Sequence, residues 1–136
     1  MKKRSRKNIP KGFDSWLEYD LSKKLKRCNY HPETIEYTQV RRYEPDFVFE
    51  EYGFTTFIEV KGRFRTRDEA RKYVDIRNSL GKNETLVFIF QNPNTAMPFA
   101  RKRADGSRFT MAEWAKKNDF EYYCPETVPP MWSRKK

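Results

Sequence analysis

The run Glu84-Thr85-Leu86-Val87-Phe88-Ile89-Phe90 carries no charge after its first residue. So short and continuous an apolar run is the pattern of a strand buried on both faces of a sheet. A helical pattern precedes it, which predicts a crossover connection and a parallel strand. That pairing restricts the chain to an α/β arrangement. The crossover helix is capped by Thr66 or Asp68 and runs through Ala70, Tyr73, Val74 and Arg77. It turns Arg67, Arg71 and Lys72 outward and stops at Gly81.

Upstream, Asp14 or Ser15 can cap a helix over residues 16–27, with Leu17, Leu21 and Leu25 forming one apolar stripe. Residues 34–40 alternate β-formers and predict a strand, and 43–49 predict the next. Glu50-Glu51-Tyr52-Gly53 supplies a turn, and 54–60 then form a third strand, antiparallel to the second and ended by Gly62. The order is α-β-β-β-α-β. Residues 91–108 are punctuated by Pro and Asn and read as a long basic loop. Thr110 with Glu113 forms a capping box for a helix over 111–117, and 120–123 suit a short edge strand. Trp16, Trp114, Phe88 and Phe90 lie in periodic segments, as core residues do.

A length of 136 residues suits one core, with residues 1–11 a basic, mobile N-terminal arm and 12–136 a single domain. The net charge of +10 points to a polyanionic partner, above all nucleic acid. No apolar run approaches the roughly 20 residues needed to cross a bilayer, so the chain is expected to be cytoplasmic, with no membrane partner. Cys28 and Cys124 are isolated and His31 is the one histidine, which argues against a disulfide framework or a zinc site.

Chemistry concentrates on the second and third strands. Glu59 and Lys61 alternate onto one face, and a hairpin brings Asp46 opposite that end. Two carboxylates can hold Mg²⁺ through oxygen, with the Val60 carbonyl as a further ligand, while a lysine orients water and offsets developing charge. That set suits phosphodiester hydrolysis. Arg63, Arg65 and Arg67 follow directly and can grip phosphates beside the cut, as can Lys2, Lys3, Arg4, Arg6 and Lys7 of the arm. Arg101, Lys102 and Arg103 in the long loop are weaker candidates.

Pro45-Asp46 … Glu59-Val60-Lys61 resembles the PD-(D/E)xK nuclease superfamily. The wider pattern is similar to the endonuclease I family of tailed bacteriophages, which resolve Holliday junctions. It comprises Ser15-Trp16-Leu17-Glu18 with Leu21 and Leu25, Tyr43-Glu44-Pro45-Asp46-Phe47, Phe57-Ile58-Glu59-Val60-Lys61-Gly62, Leu86-Val87-Phe88, Glu113-Trp114 and Val128-Pro129-Pro130-Met131-Trp132. The resemblance implies a restriction-endonuclease-like core, a mixed but mainly antiparallel sheet flanked by helices. It implies that Asp46 and Glu59 are metal ligands, that Lys61 is the catalytic lysine, and that Glu18 is a further catalytic carboxylate at a second metal. Such a site takes one or two Mg²⁺, or Mn²⁺ in its place, and cuts branched DNA to leave 5′-phosphate and 3′-hydroxyl ends. The family's homodimer exchanges its first helix through a bridging strand. Here residues 40–44 are short for that bridge, which leaves a monomeric, sequence- or context-dependent nicking endonuclease as the alternative. A basic DNA-binding module with an inactive core is a second alternative, and no residue excludes RNA as substrate.

Overall fold

The computed structural model describes residues 3–134. These divide into two compact units, Met1–Val40 and Arg41–Lys136. The element content is α/β, with three α-helices and a mixed four-stranded sheet.

In the first unit the helix α1 spans Trp16–Lys24, shorter than the pattern over 16–27, because Leu25 leaves helical geometry and serves as the C-cap. Ser15 is the N-cap, its hydroxyl accepting from the Glu18 N–H. Leu17, Leu21 and Leu25 are 68%, 39% and 51% exposed, so within its unit the apolar stripe covers no core. The basic arm is ordered in part. Arg4 donates to both oxygens of Asp20, at 3.0 and 2.5 Å, and lies 4.4 Å from the Trp16 ring centre. The Trp16 indole donates to the Ser5 carbonyl. Trp16 and Asp20 stand one turn apart on α1, so together they offer Arg4 a ring face and a carboxylate. Trp16 therefore holds the arm and is not a core residue. Residues 34–40 form no strand: Ile35, Tyr37 and Val40 are strongly exposed, and alternation without a neighbouring strand makes no ladder.

The second unit orders its strands β1 (Phe47–Glu51), β2 (Phe54–Lys61), β3 (Glu84–Phe90) and β4 (Tyr122–Tyr123) across one sheet. β1 and β2 are antiparallel through a two-residue turn, Tyr52 and Gly53, whose φ values of 51° and 79° match the positive-φ turn that a twisted hairpin requires. β1 begins at Phe47, so 43–46 lead into the strand instead of belonging to it. The helices α2 (Arg67–Asn78) and α3 (Met111–Lys117) connect β2 to β3 and β3 to β4, and both those pairs are parallel. The sheet is thus mixed, and the expectation that it is mainly antiparallel is corrected. Each crossover helix returns the chain to the same end of the sheet.

Leu86, Phe88 and Phe90 project from β3 into a buried cluster with Phe64, Ala70, Tyr73, Met97, Met111, Trp114 and Phe120. Full burial of each large apolar side chain contributes about 1.5–3 kcal/mol. Residues 91–108 are more structured than a free loop, since Met97 is buried in this core and Ala96 bridges Thr110. The capping box of Thr110 and Glu113 is present, and Thr66 caps α2. Cys28 and Cys124 are free thiols. Among the described residues no helix is long and apolar enough to cross a membrane.

Candidate active site

Hairpin register assembles the first part of the site. Phe47 pairs with Ile58, which sets Asp46, just outside β1, opposite Glu59. One oxygen of the exposed Asp46 carboxylate accepts from the Val60 N–H at 2.8 Å, clasping the end of the hairpin. On the face toward α2, Glu59 and Lys61 alternate with Val60, and β3 aligns Phe88 beside Glu59 and Phe90 beside Lys61. The carboxylate therefore stands against an aromatic wall. Glu59 is 7% exposed, the one buried charged residue among those described.

A carboxylate in such surroundings needs donors. Tyr43 donates to one oxygen at 2.7 Å and Tyr73 to the other at 2.8 Å. Lys61 Nζ lies 3.7 Å from Glu59 and 3.0 Å from Oε1 of Glu69, the third residue of α2. Burial raises the Tyr43 hydroxyl well above its ordinary range, and the hydrogen bond to Glu59 raises it further. Burial likewise lifts Tyr73, with Lys61 pulling down and Glu59 pushing up, to about 12. Both phenols keep their protons at neutral pH and remain donors. Burial opposes the charge on Lys61, but hydrogen bonds to Tyr73 and Glu69 outweigh it, so the ammonium is held above its usual value. Glu69 lies below the usual carboxylate range, since its bond to Lys61 overcomes burial.

Beyond Lys61 the surface opens into a groove lined by Val60, Lys61, Gly62, Arg63, Arg65, Glu69 and Lys72. Four cations against one carboxylate make it attractive to phosphate. Arg63 and Arg65 are exposed there, whereas Arg67 spreads its guanidinium 4.8 Å from the Phe99 ring centre.

Asp46, Val60, Glu59 and Lys61 thus converge. Glu18 belongs to the first unit, where Ser15 donates to its Oε2 at 2.9 Å. There its carboxylate, Asp14 and His31 offer oxygen or nitrogen atoms within 4.8 Å of one another, an arrangement common among exposed acidic groups. His31, stacked on Tyr30, lies 4.0 Å from Glu18. Lys3, Arg6 and Lys7 are exposed on the same unit, Arg4 is engaged by Asp20, and Lys2 lies outside the described residues.

Sequence reading missed Tyr43, Tyr73, Glu69 and Lys72. One signal was available: Glu69 and Tyr73 are four apart on a helix, the spacing that meets alternate residues of a strand. The donor set of Asp46, Glu59 and the Val60 carbonyl is all oxygen, the chemistry a hard divalent cation takes. The phenols use two of about four acceptor positions on Glu59, leaving capacity for a cation.

Compared with known proteins, the chain matches no protein-family model and no curated protein. What fold and geometry define is an α/β protein whose mixed sheet carries a carboxylate and ammonium cluster beside a cationic groove.

Proposed function

We propose that this chain is a metal-dependent DNA endonuclease that hydrolyses phosphodiester bonds at branched DNA such as Holliday junctions. The observation that carries the reading is the meeting of Asp46, Glu59 and Lys61 at the open end of one hairpin, beside Arg63, Arg65 and Lys72. A bland alternative, a cross-strand ion pair at a sheet edge, leaves Glu59 unexplained. Cross-strand pairs contribute about 0.2–1 kcal/mol and sit at the surface, whereas this carboxylate is buried among aromatic rings at a desolvation cost.

In the mechanism, the cations of the groove hold the phosphates flanking the scissile bond. The Asp46 and Glu59 carboxylates and the Val60 carbonyl are the groups that would hold one or two Mg²⁺, or Mn²⁺. When bound, the metal supplies charge neutralisation at the scissile phosphate. Lys61, kept as an ammonium by its hydrogen bonds to Tyr73 and Glu69, adds positive charge where the phosphoryl oxygens gain negative charge. Water oxygen bonds to phosphorus, the P–O3′ bond breaks, and the proton passes to the leaving oxygen, giving 5′-phosphate and 3′-hydroxyl ends.

Glu18 enters as the further carboxylate on the strength of the family resemblance. The same resemblance implies a homodimer. Light-scattering mass separates this from a monomeric nicking enzyme. The decisive test is cleavage of a synthetic four-way junction and its linear arms in Mg²⁺. Wild-type protein is expected to cut the junction, with Glu59→Ala and Lys61→Ala abolishing cleavage but not binding. Full activity of both variants would overturn the proposal. Absence of cleavage in both Mg²⁺ and Mn²⁺ would favour a DNA-binding module.

A further inference from the structure

The helix α2 meets the site strand through a matched pair of side chains. Four residues of helix advance about 6 Å and two residues of strand about 6.6 Å. Glu69 and Tyr73 therefore stand at the separation of Lys61 and Glu59, and they contact them in reverse chain order: Glu69 with Lys61 at 3.0 Å, Tyr73 with Glu59 at 2.8 Å. Each contact is itself fixed. Tyr73 is 1% exposed and packs edge-on to Phe64 and Phe88. Glu69 is anchored at the first turn of α2: its N–H donates to the Thr66 hydroxyl and its Oε2 accepts from the Arg65 N–H.

We infer that Glu69 and Tyr73 are positioning residues for the proposed hydrolysis, an inference that rests on the nuclease reading. Tyr73, with Tyr43 on the opposite oxygen, sets the Glu59 carboxylate in the orientation from which it takes a divalent cation. Glu69 sets the ammonium of Lys61, which has four flexible carbons and two carboxylates to choose between. The helix thereby fixes the spacing of groups that the strand alone leaves free to rotate. Hydrogen-bonded partners of this kind, one step behind the ligand, typically govern metal affinity or activity by 10–100-fold.

The two residues are distinguished by different readouts. Calorimetric titration of the full chain with Mn²⁺, without DNA, is expected to show roughly 10–100-fold weaker binding in Tyr73→Phe, which keeps the ring and removes the donor. Tyr43→Phe, at a less buried position, carries the same expectation and serves if the buried variant fails to fold. Glu69→Gln is expected to bind Mn²⁺ within about threefold of wild type while kcat falls about 10–100-fold at unchanged KM for DNA. Wild-type Mn²⁺ affinity in folded Tyr73→Phe and Tyr43→Phe, or wild-type kcat in Glu69→Gln, overturns the inference and leaves the nuclease reading intact. A wild-type protein that neither binds Mn²⁺ nor cleaves DNA overturns both.

Discussion

Asp46 offers the cleanest separation of structural from catalytic work, because its one hydrogen bond to the Val60 N–H can be kept while its charge is removed. Asp46→Asn retains an acceptor oxygen of the same reach. A hydrogen bond to a charged group contributes about 1.5–3 kcal/mol and a neutral one about 0.5–1.5, so the loss in stability is about 1 kcal/mol at most for so exposed a residue. For a unit of this size that lowers Tm by roughly 4–8 °C. The proposed chemistry loses far more. Removing one fixed electrostatic contribution at a reacting phosphate costs about 2.7–4 kcal/mol of transition-state stabilisation, or 10²–10³ in rate. Thermal unfolding by circular dichroism and Mg²⁺-dependent junction cleavage are measured on the same preparation, with Asp46→Ala, which loses the hydrogen bond outright, alongside. The expected pattern is a graded fall in Tm from wild type to Asn to Ala, with cleavage slowed about 10²–10³-fold in both variants. Cleavage in Asp46→Asn within threefold of wild type, or activity that tracks the folded fraction across the series, refutes the reasoning and returns Asp46 to the role of a hairpin clasp.

Three further outcomes follow from the geometry. Phe88→Ala removes a fully buried ring with Phe64, Tyr73, Phe90, Trp114 and Phe120 within 6 Å of its centre, and is expected to cost about 3–5 kcal/mol in urea unfolding. The double substitution Arg63→Ala/Arg65→Ala is expected to weaken DNA binding uniformly across sequences and to flatten the slope of log K against log salt by about 2, read by fluorescence anisotropy. Glu69 is held below its ordinary range by Lys61, so its stabilising contribution is present above the unfolded carboxylate pKa and lost as pH falls through the lower folded value. The Tm difference between wild type and Glu69→Gln should therefore exist at neutral pH and vanish on acidification.

Much of the second unit was legible because local signals agreed there. The uncharged run at 85–90 predicted a parallel strand and is one, and Thr66, Thr110 and Gly53 act where their chemistry predicts. Asp46, Glu59 and Lys61 converge because strand alternation and hairpin register are short-range rules. Burial depends on partners far along the chain, and there the reading failed. The Leu17, Leu21 and Leu25 stripe has helical period yet stays exposed, and residues 34–40 alternate yet join no sheet. The bias toward antiparallel pairing failed for a related reason: two of the three pairings are made by strands separated by whole helices. Composition counts Arg4 among the arm's phosphate-gripping cations and cannot reveal that Asp20 and Trp16 present themselves to it. Tyr73 has the pattern of a core residue and is one, but its hydroxyl, invisible to periodicity, reaches Glu59.

Glu59 is an expensive group for this fold, which bears on why it is there. Breaking a buried polar set by removing one member destabilises, because the remaining members lose their partners. Replacing the whole set by apolar groups of similar volume is often neutral or stabilising. Glu59→Leu alone leaves the buried Tyr73 hydroxyl without its acceptor, at about 1–3 kcal/mol, whereas the half-buried Tyr43 can turn toward water and Lys61 keeps Glu69. The double variant Glu59→Leu/Tyr73→Phe removes acceptor and donor together and extends the aromatic wall of Phe88. It should therefore recover at least wild-type stability in urea unfolding while showing no cleavage and no Mn²⁺ binding. A double variant less stable than wild type by more than about 2 kcal/mol would mean that the carboxylate holds the fold together, and its burial would then need no catalytic explanation. Recovery would mean that the chain keeps a charge its core would be better without, as a site shaped for chemistry does.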